Sequence, residues 1–252
     1  MGSTNAAPEA KNIWKVVRVI GENHDVNSLF LEDGNERMNS RRAGQFATLR
    51  VPIPGGWSEP HPFTISAAPE DRVLRLTIKK EGAFTSAIPD LQPGTPVQVT
   101  GPLGVFCKDI DERPEIVMLA GGVGITPFLS VLRHFRNRRA ENKVLLFWSN
   151  KTRVDIFCGE ELAAMSNELS LVVVHCLSRE DTVEGLFDER LPALRYERGR
   201  LNAEIMRRHG VTDNAACYVC GPGPMMEAAL KELELLGVAP QTVAQERFVW
   251  KK

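Results

Sequence analysis

Twice in its second half the chain runs from a short apolar segment through a glycine turn straight into a helical pattern: Leu119-Ala120-Gly121-Gly122-Val123-Gly124-Ile125-Thr126-Pro127, and Cys220-Gly221-Pro222-Gly223-Pro224-Met225-Met226. A strand that feeds directly into a helix belongs to a parallel sheet, where each connection must cross a face of the sheet before the chain can pair again. The surrounding pattern agrees. Residues 116–119, 144–148, 171–176 and 216–220 are continuous apolar runs, while 128–139, 160–165, 203–209 and 225–236 have helical spacing. Strands buried on both faces and alternating with helices predict an α/β domain with a parallel sheet.

The first half has a different rhythm. Residues 14–20, 27–31, 45–51, 63–66, 73–79 and 95–100 are short runs rich in β-branched residues, punctuated by Gly34, Pro54-Gly55-Gly56, Pro93-Gly94 and Gly101-Pro102. Such spacing predicts a small antiparallel β-barrel. The change of rhythm falls near 111–114, which divides the chain into an arm at 1–12, a barrel at 13–112 and an α/β domain at 113–252.

Composition narrows the classes of function. Lys plus Arg number 31 against 32 Asp plus Glu, so no basic excess favours nucleic acid. The most apolar stretch, 116–132, is interrupted by glycines, Thr126, Pro127 and Ser130, and reads as soluble core and not as a membrane span. Five scattered cysteines do not form the even framework of a secreted scaffold, and the expectation is a cytoplasmic protein. Cys217-x-x-Cys220 spans a strand without a second pair or a His cluster, so neither a disulfide nor a metal role is expected.

Each glycine turn can be read in two ways. Its flexible backbone and free N–H groups suit a pyrophosphate, with Thr126 and Pro127 fitting a helix start; it is also what any tight strand-to-helix connection requires. The segment Gly82-Ala83-Phe84-Thr85 is likewise either a phosphate-binding turn or a helix start capped by Thr85 or Ser86.

Taken together with His61-Pro62-Phe63-Thr64 upstream, these motifs stand in the order found in the ferredoxin-NADP reductase superfamily, which the chain resembles from about Ile13 onward. The nearest flavour is the HPFT-type reductases, which include ferric reductases and the dehydrogenase domains of NADPH oxidases. The resemblance implies a flavin-binding barrel followed by a nicotinamide-binding α/β domain, with FAD and NADPH or NADH as cofactors. It implies that Phe63 flanks the isoalloxazine, that the Thr64 hydroxyl meets flavin N5, and that Gly82, Thr85 and Ser86 meet the FAD pyrophosphate. Pro62, Ile78, Lys79 and Phe84 complete the implied flavin contacts. His61 departs from the pattern, because much of the family has Arg there to clamp the pyrophosphate with a bidentate fork; weaker flavin retention follows, and Lys79 or Lys80 would compensate.

On the nicotinamide side the resemblance assigns Gly121, Gly122, Gly124 and Thr126 to the dinucleotide pyrophosphate, with Gly221, Pro222 and Met225 beside it. Cys220 would lie against the nicotinamide. Ser178-Arg179 matches the pair that meets the adenosine 2'-phosphate, with Ser149, Lys151 and Arg153 as a second cluster, although these are also ordinary loop charges. Near the end of the chain Glu246 matches an acidic residue close to the flavin, and Phe248, or alternatively Trp250, an aromatic cover. Catalysis is thus expected of Thr64, Cys220 and Glu246.

No iron-sulfur run of cysteines and no preceding haem helices are found in this sequence. The function implied is a soluble NAD(P)H oxidoreductase that passes a hydride to flavin N5 and then electrons to an external acceptor: a ferredoxin or flavodoxin, a cytochrome or haem partner, or a ferric chelate. The alternative is a non-catalytic flavin-binding regulatory or interaction subunit of an electron-transfer complex. Arg133, His134, Arg136, Arg138 and Arg139 on one helix, with Arg37, Arg41 and Arg42 in a barrel loop, suggest a basic docking face for an acidic electron carrier, or else a solvated helix face.

Overall fold

In the first sheet, apolar and polar residues alternate as a half-buried surface demands. Trp14 and Val16 point inward and Lys15 outward along β1 (Ile13–Gly21), while Ala47 and Leu49 are fully buried in β3 (Phe46–Arg50). With β2 (Val26–Glu32), β6 (His61–Thr64), β7 (Leu74–Lys79) and β8 (Pro96–Leu103) they form a six-stranded antiparallel sheet of order β6-β3-β8-β1-β2-β7. The two-residue strands β4 (Pro52–Ile53) and β5 (Gly56–Trp57) make a separate hairpin, and α1 (Ala83–Ser86) is a single turn after β7. Ile65 bridges Leu76 and the Ser66 N–H donates to Arg75 O at 2.8 Å, so the two edge strands meet and the sheet closes as a barrel. The computed structural model describes residues 12–32 and 36–248; the arm before them, Gly34 and Trp250 lie outside the described residues.

The second sheet is wholly parallel. Its strands are β9 (Glu115–Gly121), β10 (Lys143–Asn150), β11 (Leu171–Leu177), β12 (Leu194–Arg198), β13 (Ala216–Gly221) and β14 (Val243–Arg247), in the order β12-β11-β10-β9-β13-β14. One face buries Ile116 and Met118 under α2 (Thr126–Arg138) and α3 (Gly159–Glu168); the other buries Val117 and Leu119 under α4 (Ala203–Arg208) and α5 (Gly223–Leu235). The strand at 194–198 escapes sequence reasoning because it lies at the sheet's edge and carries Arg195, Glu197 and Arg198, leaving only Leu194 buried.

Helix α2 is buried over its first ten residues because it lies between its own sheet and the barrel. Ser130 Oγ donates to Ala67 O (2.7 Å), and the Arg133 guanidinium reaches Ser66 O while gripping Glu161 with two bonds of 2.7 Å. Glu161 also meets Arg75 of β7 at 3.3 Å, and Arg75 pairs with Glu22 at 2.7 Å. Cys158 Sγ sits between that last pair, 3.4 Å from each. Burial alone would raise the Glu161 carboxyl, but the bonds from Arg133 and Arg75 overcome it and hold it at about 2.

This packing corrects the expectation of a continuous basic docking face. Arg133 is internal, His134 is held between Glu70 (2.6 Å) and Asp111 (3.0 Å), and Arg41 is buried with bonds to the carbonyls of Met38, Ala68 and Asp71. Cations paired with carboxylates and carbonyls in this way serve the fold; among the side chains of the proposed face that the structure describes, Arg42, Arg138 and Arg139 are exposed and Arg136 is half-buried, while the Arg37 side chain lies outside the description.

Candidate active site

The two glycine turns meet at the carboxyl edge of the parallel sheet, where β9 and β13 are neighbours and the chain winds away from β9 in opposite directions, the point at which open sheets bind ligands. They touch backbone to backbone. A Cβ on Gly124 would lie 2.3 Å from Cys220 O and 2.7 Å from Gly221 Cα, and one on Gly221 would lie 3.0 Å from Gly121 N. Gly122, with φ of +50°, has open space where a side chain would stand, and Trp148 Nε1 donates to its carbonyl at 2.9 Å. Pro222 and Pro224 bring no N–H to the start of α5, which leaves the turn before α2 as the richer anion-binding end. Thr126 is buried, and its hydroxyl donates to Val123 O (3.0 Å), so it shapes that turn from within.

Beside the turns lies a cleft of about 430 Å³. Ser149, Asn150, Lys151, Ser178 and Arg200 line one end, and both Ser149 Oγ and Asn150 Nδ2 are buried without a hydrogen-bond partner. Unpartnered polar atoms in a cleft are what a polar ligand satisfies. Ser178 Oγ donates to Asn150 O at 3.2 Å. Arg153 and Arg179 are not in the lining; the cation there that sequence reasoning missed is Arg200, which follows Gly199 (φ +102°) after the edge strand β12. The barrel supplies the facing residues His24, Asp25, Val26 and Lys79, with Lys79 Nζ 3.3 Å from Asp25.

On the barrel side Thr64 ends β6 opposite Phe46. Its hydroxyl is buried with no partner. His61 stacks on Phe84 at 3.8 Å, and Phe84 is nearly parallel to Phe63 at 6.0 Å, so β6 and α1 present a tier of flat rings; burial lowers the His61 imidazole below its ordinary value. Thr85 accepts from the Glu81 N–H (2.7 Å) and donates to Gly82 O (3.2 Å), which spends its hydroxyl on the turn, whereas Gly82 opens on free space. Ile78 is buried in the barrel core behind these residues.

The two halves join at one seam. β13 and β14 pair Cys220 with Glu246, and a Cβ on Gly104 would lie 3.1 Å from the Phe46 ring and 3.8 Å from Glu246 Oε1. Thr64, Phe46, Gly104, Glu246 and Cys220 therefore form a line from barrel to parallel sheet. Glu246 Oε2 has no partner, and burial pushes its carboxyl up to about 7. Burial, then Glu246, then Cys107, drive the Cys220 thiol well above its ordinary value, so it is neutral, and the structure places it within the α/β core, with no exposed surface and outside the cleft lining. Phe248 packs at the edge of the α/β core. An orphaned hydroxyl at the end of β6, a tier of rings on β6 and α1, and an orphaned carboxyl at the seam fit a flavin; the glycine edge and cleft fit a dinucleotide.

Comparison with known proteins agrees with this division. The family model described as an FAD-binding domain matches residues 15–96, and the one described as an oxidoreductase NAD-binding domain matches 118–231. The chain is 25% identical to a flavohemoprotein of Bacillus subtilis over 90% of its own length and 56% of that protein, and 28% identical to the reductase component of propane 2-monooxygenase of Mycolicibacterium goodii over 93% and 66%. It thus spans between 56% and 66% of these relatives. Its fold superposes on the FAD/NAD-binding domain of a nitric oxide dioxygenase from Vibrio cholerae with a TM-score of 0.81, at 20% identity over 94% of this chain and 98% of that one. On a ferredoxin NADP+ reductase from Neisseria gonorrhoeae, bound to FAD and NADP, the TM-score is 0.74 at 19% identity over 95% and 99%.

Proposed function

Because the chain belongs to the ferredoxin-NADP reductase superfamily and is an FAD- and NAD(P)H-dependent oxidoreductase, we propose that it reduces its flavin at the seam between the two sheets and passes the electrons to a separate acceptor protein. When bound, the cofactors supply the hydride and single-electron chemistry. The residues supply position, exclusion of water and a proton-holding group. The observation that carries the proposal is the pair of buried unpartnered atoms on either side of the seam, Thr64 Oγ1 and Glu246 Oε2, with the Cys220 side chain beside the second.

Thr64 offers a hydroxyl that can donate to or accept from flavin N5, and the rings of Phe63, Phe84 and His61 give a flat apolar surface beside it. Cys220, neutral and buried beside Glu246, packs beneath the seam and shapes the place of the nicotinamide from within without adding charge. Glu246, with a carboxyl near 7, holds or releases a proton at the seam at neutral pH. Lys151 and Arg200 at the far end of the cleft meet the adenosine ribose phosphate, which favours NADPH. A separate acceptor is supported by relatives that are themselves reductase components, such as that of propane 2-monooxygenase. An oxygenase or a ferredoxin is accordingly the first class to try, ahead of a ferric chelate.

The test is anaerobic stopped-flow reduction of the protein-bound flavin by NADPH and NADH, followed by turnover with one-electron protein acceptors. Bound FAD reduced faster by NADPH, with Arg200→Ala losing NADPH more than Arg179→Ala does, is the expected result. Bound FMN alone, or flavin that neither nucleotide reduces, overturns the proposal.

A further inference from the structure

The dinucleotide cleft has a wall that does not come from the nucleotide-binding sheet. Between β1 and β2 the barrel makes a turn at residues 22–25, and this turn is braced to an unusual degree. Asn23 Oδ1 accepts from the N–H groups of Asp25 (3.1 Å) and Val26 (2.8 Å), the Glu22 N–H donates to Val26 O (2.8 Å), and the Lys80 N–H to Asp25 O (2.7 Å). From the same turn Asn23 Nδ2 crosses the domain boundary to donate to Asp155 O at 3.0 Å. Its target is equally rigid, since Thr152 and Asp155 close a reciprocal cap with bonds of 2.8 and 2.9 Å to Asp155 Oδ2. Glu22 is fixed to Arg75.

The His24 side chain makes no hydrogen bond to the described residues, so it braces nothing in this turn. Its Nε2 lies 3.7 Å from Asp25 Oδ2 and 3.7 Å from Asp155 Oδ1, too far for a hydrogen bond to either, and the side chain is 55% exposed while lining the cleft. The two carboxylates there already have partners, Lys79 for Asp25 and Thr152 for Asp155. The cleft otherwise presents Lys79, Lys151 and Arg200, so an anionic group entering it meets more cation-capable donors than free carboxylates.

We propose that the β1–β2 turn of the barrel is half of the dinucleotide site, with His24 a specificity-determining donor to a phosphate group of the bound nicotinamide dinucleotide. This rests on the reading that the cleft takes such a dinucleotide. The role of Asn23 is positioning: it holds the turn in its own shape and against Asp155, so that the imidazole stands over the cleft. A dinucleotide held in this way touches both domains, and the flavin-binding half then contributes to nucleotide affinity as well as to flavin binding.

The experiment is calorimetric titration of the FAD-loaded full chain with NADP+ and with NAD+, for the wild type, His24→Ala, His24→Arg and Asn23→Ala, with flavin content and unfolding midpoint measured on each sample. His24→Ala is expected to weaken binding by about 3- to 10-fold, the range for a partly exposed donor to a charged group. His24→Arg is expected to restore it, and Asn23→Ala to follow His24→Ala, with flavin content unchanged. Loss for both dinucleotides assigns His24 to the pyrophosphate, and loss for NADP+ alone to the ribose phosphate; either supports the proposal. Binding of both dinucleotides by His24→Ala within twofold of the wild type overturns it while leaving the reading of the cleft intact. A wild-type protein that binds neither dinucleotide overturns that reading and the proposal together.

Discussion

Replacing Glu246 with glutamine is expected to make the protein more stable at alkaline pH. The carboxyl sits at the seam beside Gly104 and Cys220 with Oε2 unpartnered, and burial lifts it from 4.5 to about 7. The folded state therefore keeps a proton that the unfolded chain releases above pH 4.5. In that interval stability falls as pH rises, and the full penalty is reached above pH 7. A shift of that size corresponds to ~3.4 kcal/mol at ~1.36 kcal/mol per unit, and partial solvent access reduces it to about 1.5–3 kcal/mol. Glutamine has the same shape and never ionises. Urea unfolding of both proteins, in the same ligand state and at several pH values from 4.5 to 8.5, measures the difference. Groups that titrate in both proteins cancel, and the nearby thiols of Cys107 and Cys220, raised well above their ordinary range, stay neutral throughout. The two proteins should differ least at pH 4.5 and separate progressively toward pH 8, with the variant above. Parallel profiles, or a variant that loses stability at pH 8, would refute the reasoning.

Three further outcomes follow from the geometry. Gly124→Ala should cost several kcal/mol in denaturant unfolding and abolish dinucleotide binding, because its Cβ would collide with Cys220 O at 2.3 Å, whereas Gly122→Ala meets no atom within 4 Å and should cost only about 1–2 kcal/mol for its left-handed backbone. Arg133→Ala should destabilise by about 2–4 kcal/mol, since it strips two bonds from a half-buried Glu161 and leaves it only Arg75; the contribution of that carboxylate persists above pH 4.5 and fades as pH falls toward about 2, which unfolding at pH 3 and pH 7 compares. Cys220→Ala should slow flavin reduction by saturating nucleotide about tenfold or more while flavin content stays unchanged, as read by stopped-flow absorbance.

What the sequence discloses is what depends on neighbours along the chain. The run from Ile116 to Ala120 is apolar without interruption because both faces of β9 are covered, and the barrel strands alternate because one face is wet; both sheets are legible for that reason. The glycines at 121, 122 and 124 announce a close approach, though not that the atoms approached belong to Cys220 and Gly221. Arg133 and His134 read as surface charge. Their burial depends on Glu161, 28 residues away, on Ser66, 67 away, and on Glu70 and Asp111, and no local pattern encodes those partners. Arg200 is hidden for the opposite reason, since the short charged strand before it has too little apolar content to register as a strand. The hydroxyls of Thr64, Thr85 and Thr126 look alike in the sequence; only coordinates distinguish the one left unpartnered from the two bonded within their own turns.

The bridge from Glu22 and Arg75 through Glu161 to Arg133 also limits how this fold can be recombined. A chimera joining this barrel to the nucleotide domain of a relative would cut the network in the middle, leaving two partners on each side of the splice. Each half keeps a balanced pair, Glu22 with Arg75 and Glu161 with Arg133, but an incoming domain that carried only one of the charges at the places of Glu161 and Arg133 would seal it uncompensated into the joint, at a cost of about 3–5 kcal/mol. Shuffling that moves all four residues as a set escapes this, so the functional unit of exchange is the pair of domains together with their shared ions, even though each sheet is complete by itself.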